Sequence, residues 1–156
     1  MQRVTPFLWF DGTAADAIDL YRNVFSDSDV VEAAASGGGP GERGGFVMGS
    51  VTVGGIEIIC FDGGPFVPFN PAISLFVTCE TQEEVDRYWY GLSAGGEEGQ
   101  CGWLVDPYGV SWQIVPSALG RLMGDPDQER AGRVREAMLK MNRLIIAELQ
   151  AAYDGG

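Results

Sequence analysis

The sequence predicts an α+β fold in which two tandem βαβββ modules form a curved eight-stranded cup, followed by C-terminal helices. The main observation is an internal repeat, because the same order of strand and helix patterns occurs twice along the 156 residues. Val85 in the second helical stripe repeats Ile18 in the first, and Gly109 in the last hairpin repeats Gly55. The length is that of one ordinary domain, so residues 1–156 are predicted to form a single domain.

The first module is predicted over residues 4–62. The aromatic run Thr5–Phe10 has the composition of a short strand, and Asp11-Gly12 ends it. Thr13 and Asp16 have the spacing of a helix capping box, and the apolar residues after Thr13 share one helical face. The remaining predicted elements are a strand at 29–35, the loop SGGGPGERGG at 36–45, and a hairpin of 46–53 and 56–62.

The second module, residues 72–116, repeats this order. A strand is predicted at Ile73–Thr78, and Thr81 with Glu84 again has the capping-box spacing before an apolar stripe. The stretch DPYGVSWQIVP at Asp106–Pro116 has the pattern of a tight turn followed by the last strand. A helical tail over 117–153 completes the chain, with a short helix at 117–123 and one long helix from 128 to 153.

The predicted long helix carries an apolar stripe, which indicates that it packs on its own domain or on a second subunit. The stripe consists of Val134, Met138, Met141, Ile145 and Leu149. Together with two half-covered sheets, it is more apolar surface than a monomer of this size exposes comfortably. We therefore predict a symmetric homodimer with this stripe as its interface.

The amino-acid composition limits which binding partners and which cellular compartment are expected. A net charge of −12 repels phosphate backbones and anionic lipid heads, so neither nucleic acid nor membrane is an expected partner. The first ten residues lack the pattern of a signal peptide, and no run of about 18 apolar residues occurs. The three cysteines are odd in number and far apart, which favours reduced thiols. A cytoplasmic protein is the expectation.

Four stretches carry a resemblance to a known family. They are TPFLWFDG at 5–12, FDGGPF at 61–66, CETQEEVDRYW at 79–89 and GGEEGQCGWLVDPYGVSWQIVP at 95–116. With the paired modules, they resemble the vicinal oxygen chelate superfamily, which has the glyoxalase/bleomycin resistance fold. Within it, the chain is similar to the PhnB-like branch, which also bears the label demethylubiquinone methyltransferase-like. The resemblance covers about residues 4–153, and it also implies a homodimer.

The superfamily's four metal-ligand positions, carried over residue by residue, fall on Thr5, Ile59, Ala72 and Gln113. Two of these side chains supply no donor atom, and none carries the charge or imidazole that such a site uses. The chain also contains no histidine. The expectation is therefore a protein without a metal site, and no cofactor is predicted.

Strand alternation predicts which side chains line the cup. The predicted ligand-binding residues are Thr5, Phe7, Trp9, Ile59, Phe61, Ser74, Phe76, Trp103, Ser111 and Gln113. The lining is mostly aromatic and aliphatic, as in a pocket for a flat or apolar small molecule. Glu57 is the one inward-facing carboxylate in the middle of a strand, which makes it a candidate general base, although a glutamate near a rim is usually solvated.

Two classes of function remain open. The first is a metal-independent protein that binds an apolar or aromatic small molecule, as the bleomycin resistance proteins do. The second is an enzyme, either a methyltransferase as the family label implies, or a metal-free isomerase or lyase with Glu57 as base. Cys101 is a weaker candidate nucleophile, because no histidine could activate it. The glycine-rich loop at 36–45 lacks the context of a phosphate site, and a lid is the favoured interpretation.

Overall fold

The structure is a computed structural model that describes residues 3–25, 34–36 and 46–156. The chain divides into two compact units, with the boundary between Phe69 and Asn70. This boundary falls in the linker between the two predicted modules. Each unit contains a four-stranded sheet, and eight strands and five helices occur in the described ranges. The α+β class is therefore correct, and the single curved cup stays a prediction.

In its described residues, the first unit contains one helix and one mixed sheet. Its elements are β1 (Phe7–Phe10), α1 (Ala14–Val24), β2 (Ala34–Ser36), β3 (Phe46–Val53) and β4 (Ile56–Asp62). The strand order is β1-β4-β3-β2, with β1 parallel to β4 and the other pairs antiparallel. Gly54 and Gly55, at φ 56° and 80°, form the tight turn between β3 and β4, which requires positive φ at both positions. The predicted hairpin is confirmed, whereas residues 29–33 and most of the glycine-rich loop lie outside the described residues.

Helix α1 covers one face of this sheet, and it begins in an unexpected way. Its predicted apolar face is buried, including Tyr21 with no exposed surface. The prediction of a capping box at its start was wrong, because the Thr13 side chain makes no capping hydrogen bond. Instead, the backbone N–H of Ala14 donates to Oδ1 of Asp62 at 2.9 Å. A carboxylate at the end of β4 thus satisfies a free N–H of the helix start and ties α1 to the sheet.

The second unit repeats this arrangement and adds three helices. Its elements are β5 (Leu75–Cys79), α2 (Gln82–Ser93), β6 (Glu97–Glu98), β7 (Trp103–Val105), β8 (Ser111–Pro116), α3 (Ser117–Met123), α4 (Gln128–Met138) and α5 (Ile146–Asp154). The order β5-β8-β7-β6, with β5 parallel to β8, matches the first sheet. The capping box predicted for α2 is present in a shifted form. Thr81 accepts from the N–H of Glu84, whose carboxylate accepts from the N–H of Glu80.

The predicted long helix at 128–153 is wrong, because the chain leaves the helical conformation between α4 and α5. In this segment, the carbonyl of Met141 accepts from the N–H of Cys101 at 2.8 Å, and that of Asn142 accepts from Gly102 at 2.8 Å. The side chain of Gln82 bonds the segment a second time, as described below. These tertiary hydrogen bonds replace the helical ones. The apolar residues continue at helical spacing through this segment, and for that reason the predicted helix was too long.

The apolar stripe of the tail is buried within its own unit. One core cluster contains Leu119, Leu122, Val134, Met141, Leu144 and Leu149. Val134 and Leu149 have no exposed surface, and Met138 packs against the cluster. Burial of each leucine contributes about 1.5–3 kcal/mol, which is enough to hold the short helices together. The stripe is therefore not a free dimer interface, and the homodimer itself stays a prediction.

None of the helices among the described residues has the length and apolar character needed to cross a membrane.

Candidate functional site

Each sheet has one face that its own helix leaves uncovered. In β1, Phe10 is buried, whereas Phe7 and Trp9 point the other way and are 51% and 36% exposed. In β4, Ile58 and Cys60 are buried in the same alternating manner. We call the uncovered side of this sheet the first open face. It comprises Phe7, Trp9, Met48, Ser50, Thr52, Glu57, Ile59 and Phe61.

Three aromatic rings lie together on the first open face. The strand register places Phe7 beside Ile59 and Trp9 beside Phe61. The ring centroid of Phe61 lies 5.4 Å from that of Phe7 and 4.9 Å from that of Trp9, with the Trp9 pair edge to face. Both distances are typical of stabilising aromatic pairs. We call Phe7, Trp9 and Phe61 the aromatic platform, and four of the predicted binding residues therefore lie in one patch.

The segment after β4 fixes the position of Trp9. The indole N–H of Trp9 donates to the carbonyl of Gly64 at 3.0 Å. A Cβ at Gly63 would overlap the Trp9 ring and the Phe61 ring, so only glycine fits against them. Gly64 has φ 87°, a conformation that favours glycine. Sequence reasoning missed this role, although the Gly-Gly pair that begins two residues after Phe61 was a visible signal.

Glu57 lies on the same side of the sheet, beyond the platform, and Thr5 lies just before β1. Glu57 is half-buried, and its neighbour on β3 is Thr52. Thr5 is half-buried and precedes the first residue of β1. Met48 was also missed as a member of this face. It neighbours Phe61 and is 39% exposed, and extending the strand alternation to β3 would have found it.

The second open face belongs to the other unit and combines rings with an amide. Gln113 lies between Phe76 and Trp103 in the register, and its amide N–H donates to the hydroxyl of Ser74 at 2.8 Å. Phe76 is 59% exposed, so its ring is available to a ligand. Ser111 lies on the same side but is 3% exposed, which removes its hydroxyl from the accessible surface. Of the predicted residues in this unit, four share this patch and Ser111 does not contribute to it.

The side chain of Asp106 has a structural role in the turn that it begins. Asp106 is 2% exposed, and its Oδ1 accepts the backbone N–H groups of Tyr108 and Val110 at 2.9 and 3.0 Å. Its Oδ2 accepts the indole N–H of Trp112 at 2.9 Å. A buried carboxylate with three such donors organises the turn and the start of β8, and its oxygens are not available to a ligand.

The cysteines offer no activated nucleophile within the described residues. Cys60 and Cys79 have no exposed surface. Burial, followed by the charge of Glu84, raises the pKa of the Cys79 thiol from 9.0 to about 12. Cys101 is half-buried at φ 58°, and its thiol lies 3.6 Å from the carbonyl of Met138. It anchors the segment after α4, which is a structural role.

The four positions aligned with metal ligands carry side chains that do not suit a metal ion. The amide of Gln113 is bonded to the hydroxyl of Ser74. Thr, Ile, Ala and Gln together lack the donors that a divalent cation requires. Among residues 3–25, 34–36 and 46–156, no group of three His, Cys, Asp or Glu side chains could hold one.

Comparisons of the sequence and of the structure with known proteins indicate the same family. The sequence profile of the family described as 3-demethylubiquinone-9 3-methyltransferase matches residues 2–115. The PhnB protein from Bacillus cereus, provisionally named as such a methyltransferase, shares 36% identity with a TM-score of 0.66, over 74% of this chain and 100% of that one. Protein PA1353 from Pseudomonas aeruginosa has a TM-score of 0.62 at 18% identity, over 74% and 96% of the two chains, and supports the fold alone.

No curated protein matches the chain significantly. The profile ends at residue 115, so helices α3, α4 and α5 follow the part of the chain that the family shares. The open faces lie entirely inside the shared part. On the profile match and on the 36% identity to the PhnB protein, this chain belongs to the 3-demethylubiquinone-9 3-methyltransferase family, in its PhnB-like branch of the vicinal oxygen chelate fold.

Proposed function

We propose that the protein binds a flat apolar or aromatic small molecule on the first open face, without a metal. One observation supports this function above the others: Phe7, Trp9 and Phe61 form a platform of touching rings in which Phe7 and Trp9 are 51% and 36% exposed and Phe61 is half-buried. Exposed aromatic rings supported from below by a rigid sheet are a common design for binding flat ligands. The ligand would be sequestered or carried.

The platform is organised before any ligand arrives. Trp9 is held by the Gly64 carbonyl and by the close approach of Gly63. A ring that is already fixed loses little conformational entropy when a ligand stacks on it. The second open face, with Phe76 and the Gln113–Ser74 hydrogen bond, offers a comparable but more polar surface. The predicted residues of both faces thus fit a binding role.

The experiment is a thermal-shift screen against a metabolite library, followed by calorimetry on the hits. Trp9→Leu and Phe61→Leu should each weaken a hit by about tenfold, because each removes one ring of the platform. Tyr90→Leu is the matched control, since Tyr90 is 57% exposed but lies on α2. Hits that bind the two platform variants as tightly as the wild type would refute binding at this face.

The competing function is enzymatic, and the name of the PhnB protein favours its methyltransferase form. The glycine-rich loop at 36–45 lies mostly outside the described residues and favours neither the binding function nor the methyltransferase. Calorimetry with S-adenosylmethionine tests it directly: heat of binding at micromolar ligand would favour the transferase. For the isomerase or lyase form, Glu57→Gln should abolish turnover of a discovered substrate, whereas a purely binding protein has no turnover to lose.

A further inference from the structure

We infer that the second open face binds a flat ring with a cyclic amide edge, in which a ring N–H and a ring carbonyl lie side by side. The polar residues that would recognise this edge are Gln113 and Ser74, and Phe76 and Trp103 flank them. The inference goes beyond the proposed function, because it assigns a ligand class to the other sheet.

The four side chains share one side of the second sheet. The register pairs Gln113 on β8 with Phe76 on β5 and with Trp103 on β7, so these three residues form a row across the sheet. Ser74 stands two residues before Phe76 and therefore lies on the same side. Phe76 is 59% exposed, whereas Ser74, Trp103 and Gln113 are half-buried.

The row has room for one ring. Two strand spacings separate Phe76 from Trp103, which places their Cα atoms about 9–10 Å apart. A ring stacked between two others needs about 7–8 Å, which is twice the contact distance of carbon atoms. One flat ring can thus stand between the two aromatic side chains with its edge toward Gln113.

The amide of Gln113 keeps unused hydrogen-bonding groups. One N–H donates to Oγ of Ser74 at 2.8 Å, and neither side chain makes another hydrogen bond with the described residues. A side-chain amide has a second N–H donor and an acceptor oxygen, and a serine hydroxyl has a proton of its own. In the described ranges, no side-chain N or O atom is both buried and unpaired, so the free Oε1 of Gln113 reaches the surface.

An acceptor beside a donor selects a ligand edge with the complementary pair. The ring N–H of a cyclic amide would donate to Oε1 of Gln113, and the ring carbonyl would accept from the second N–H of Gln113 or from the hydroxyl of Ser74. The existing bond to Ser74 already restrains the amide, which lowers the entropy lost on binding. A ligand without the N–H leaves Oε1 covered and unpaired, which weakens binding by about tenfold or more.

Two probes of nearly the same shape isolate this N–H. Quinolin-2-one has the N–H beside its carbonyl, whereas 1-methylquinolin-2-one carries a methyl group in place of the hydrogen. Binding of each probe to the full chain is measured by titration calorimetry. We expect quinolin-2-one to bind at least about tenfold more tightly than the methylated probe.

Variants locate the preference. Gln113→Leu should weaken quinolin-2-one by about tenfold and bring the two probes to similar affinities, because the amide is gone. Phe76→Leu should weaken both probes by a similar factor, since it removes a ring and leaves the amide. Gln128→Leu is the matched control, because Gln128 is exposed on α4, and it should change neither affinity. Circular dichroism verifies that each variant is folded.

A charge-changing variant tests the recognition by a gain of binding. Gln113→Glu has two acceptor oxygens and no donor, so it should lose quinolin-2-one and gain 2-aminoquinoline, whose protonated form presents two adjacent N–H donors. Protonated 4-aminoquinoline is the control for the added charge, because its donors are not adjacent. A purely structural role of Gln113 would not reverse the order of the probes.

Three results would overturn the inference. The first is equal affinity of the wild type for quinolin-2-one and its methylated form. The second is a preference for quinolin-2-one that Gln113→Leu leaves unchanged, which would place the ligand elsewhere. The third is no binding of quinolin-2-one at millimolar concentration. The proposed function on the first open face is tested by its own variants, Trp9→Leu and Phe61→Leu, so the two failures are distinguishable.

Discussion

Gly63 lies directly against the indole ring of Trp9, so closely that a Cβ at this position would overlap Cε2 of the indole. Gly63 therefore determines the position of the indole ring. The hydrogen bond from the indole N–H to the Gly64 carbonyl determines the orientation of the ring. Two adjacent glycines with different roles thus position the Trp9 ring of the platform. The first of them is required by contact and the second by backbone conformation, since Gly64 has φ 87°.

Gly63→Ala should destabilise the protein by about 1–3 kcal/mol, because the added methyl group forces Trp9 out of its position. In a Trp9→Leu background the same substitution should cost clearly less. Guanidinium denaturation of the four proteins gives this double-mutant cycle. Gly132→Ala is the control, since a Cβ there meets nothing within 4 Å. An equal cost in both backgrounds would mean that the contact with Trp9 is not the cause.

Asp106→Asn should destabilise the second unit by about 1–3 kcal/mol. The amide NH₂ that replaces one oxygen would face either a backbone N–H or the indole N–H of Trp112, and a buried donor would be left unsatisfied. Asp11→Asn is the matched control, because Asp11 is exposed. The measurement is the urea midpoint of each variant. Identical midpoints for the Asp106 and Asp11 variants would contradict the buried network.

The three thiols should react in a fixed order. With iodoacetamide at pH 8, Cys101 should be alkylated first, because it is half-buried whereas Cys60 and Cys79 have no exposed surface. The raised pKa of Cys79, about 12, further suppresses its thiolate. Peptide mass spectrometry after timed quenching gives the order. Early labelling of Cys79 in the folded protein would contradict its burial.

The same thiol gives a pH dependence of stability at alkaline pH. Because the pKa of Cys79 is higher in the folded protein than the unfolded value of 9.0, its contribution is fully present below pH 9 and is lost as pH rises toward about 12. Cys79→Ala should therefore lose less stability than the wild type between these values. Urea midpoints at several alkaline pH values give the two slopes, and parallel slopes would count against this assignment.

Gln82 should control how firmly the segment between α4 and α5 is held. Its Oε1 accepts from the N–H of Ile146 at 2.8 Å, and its Nε2 donates to the carbonyl of Leu144 at 3.2 Å. Gln82→Ala should therefore speed amide hydrogen exchange across this segment, while the sheet stays protected. Gln100→Ala, at an exposed position, is the control. Unchanged exchange in the Gln82 variant would show that the apolar cluster alone holds the segment.

A homodimer remains our expectation, on a different surface from the tail stripe. Large exposed apolar side chains occur in the linker, with Phe66 79% and Ile73 78% exposed, and on the open faces. Large apolar side chains exposed in this way favour association. The double variant Phe66→Ser/Ile73→Ser should weaken a dimer, and sedimentation velocity of wild type and variant measures it. A wild-type monomer at high micromolar concentration would end the proposal.

Local signals made much of the fold predictable. The hairpin of β3 and β4 was placed to the residue, because Gly54-Gly55 is a strong turn signal between two alternating strands. The start of α1 was misassigned because its capping carboxylate, Asp62, lies at the far end of the module. The break before α5 was missed for the same reason, since its main partner Gln82 is distant in the sequence. Local sequence patterns cannot reveal a hydrogen-bond partner that is distant in the sequence and close only in the folded structure.

Membership of the aromatic platform was predictable from alternation along β1 and β4, since both strands present one face to a helix. Its internal geometry was not. The edge-to-face pairing of Trp9 with Phe61 depends on the closeness of Gly63, which a pattern of apolar residues does not express. Ser111 shows that alternation does not predict burial. The structure places it on the same side of β8 as Gln113, but its side chain is only 3% exposed.

The parallel pairing of first and last strands has a consequence for the order of folding. In each unit the opening strand pairs with the closing one, β1 with β4 and β5 with β8, so neither sheet can close until its whole module has left the ribosome. The second module closes the shorter loop, which lowers the entropy lost before that pairing forms. We expect β5 and β8 to gain protection before β1 and β4 when the denatured chain refolds, which pulse-labelling hydrogen exchange would measure, and simultaneous protection would contradict it.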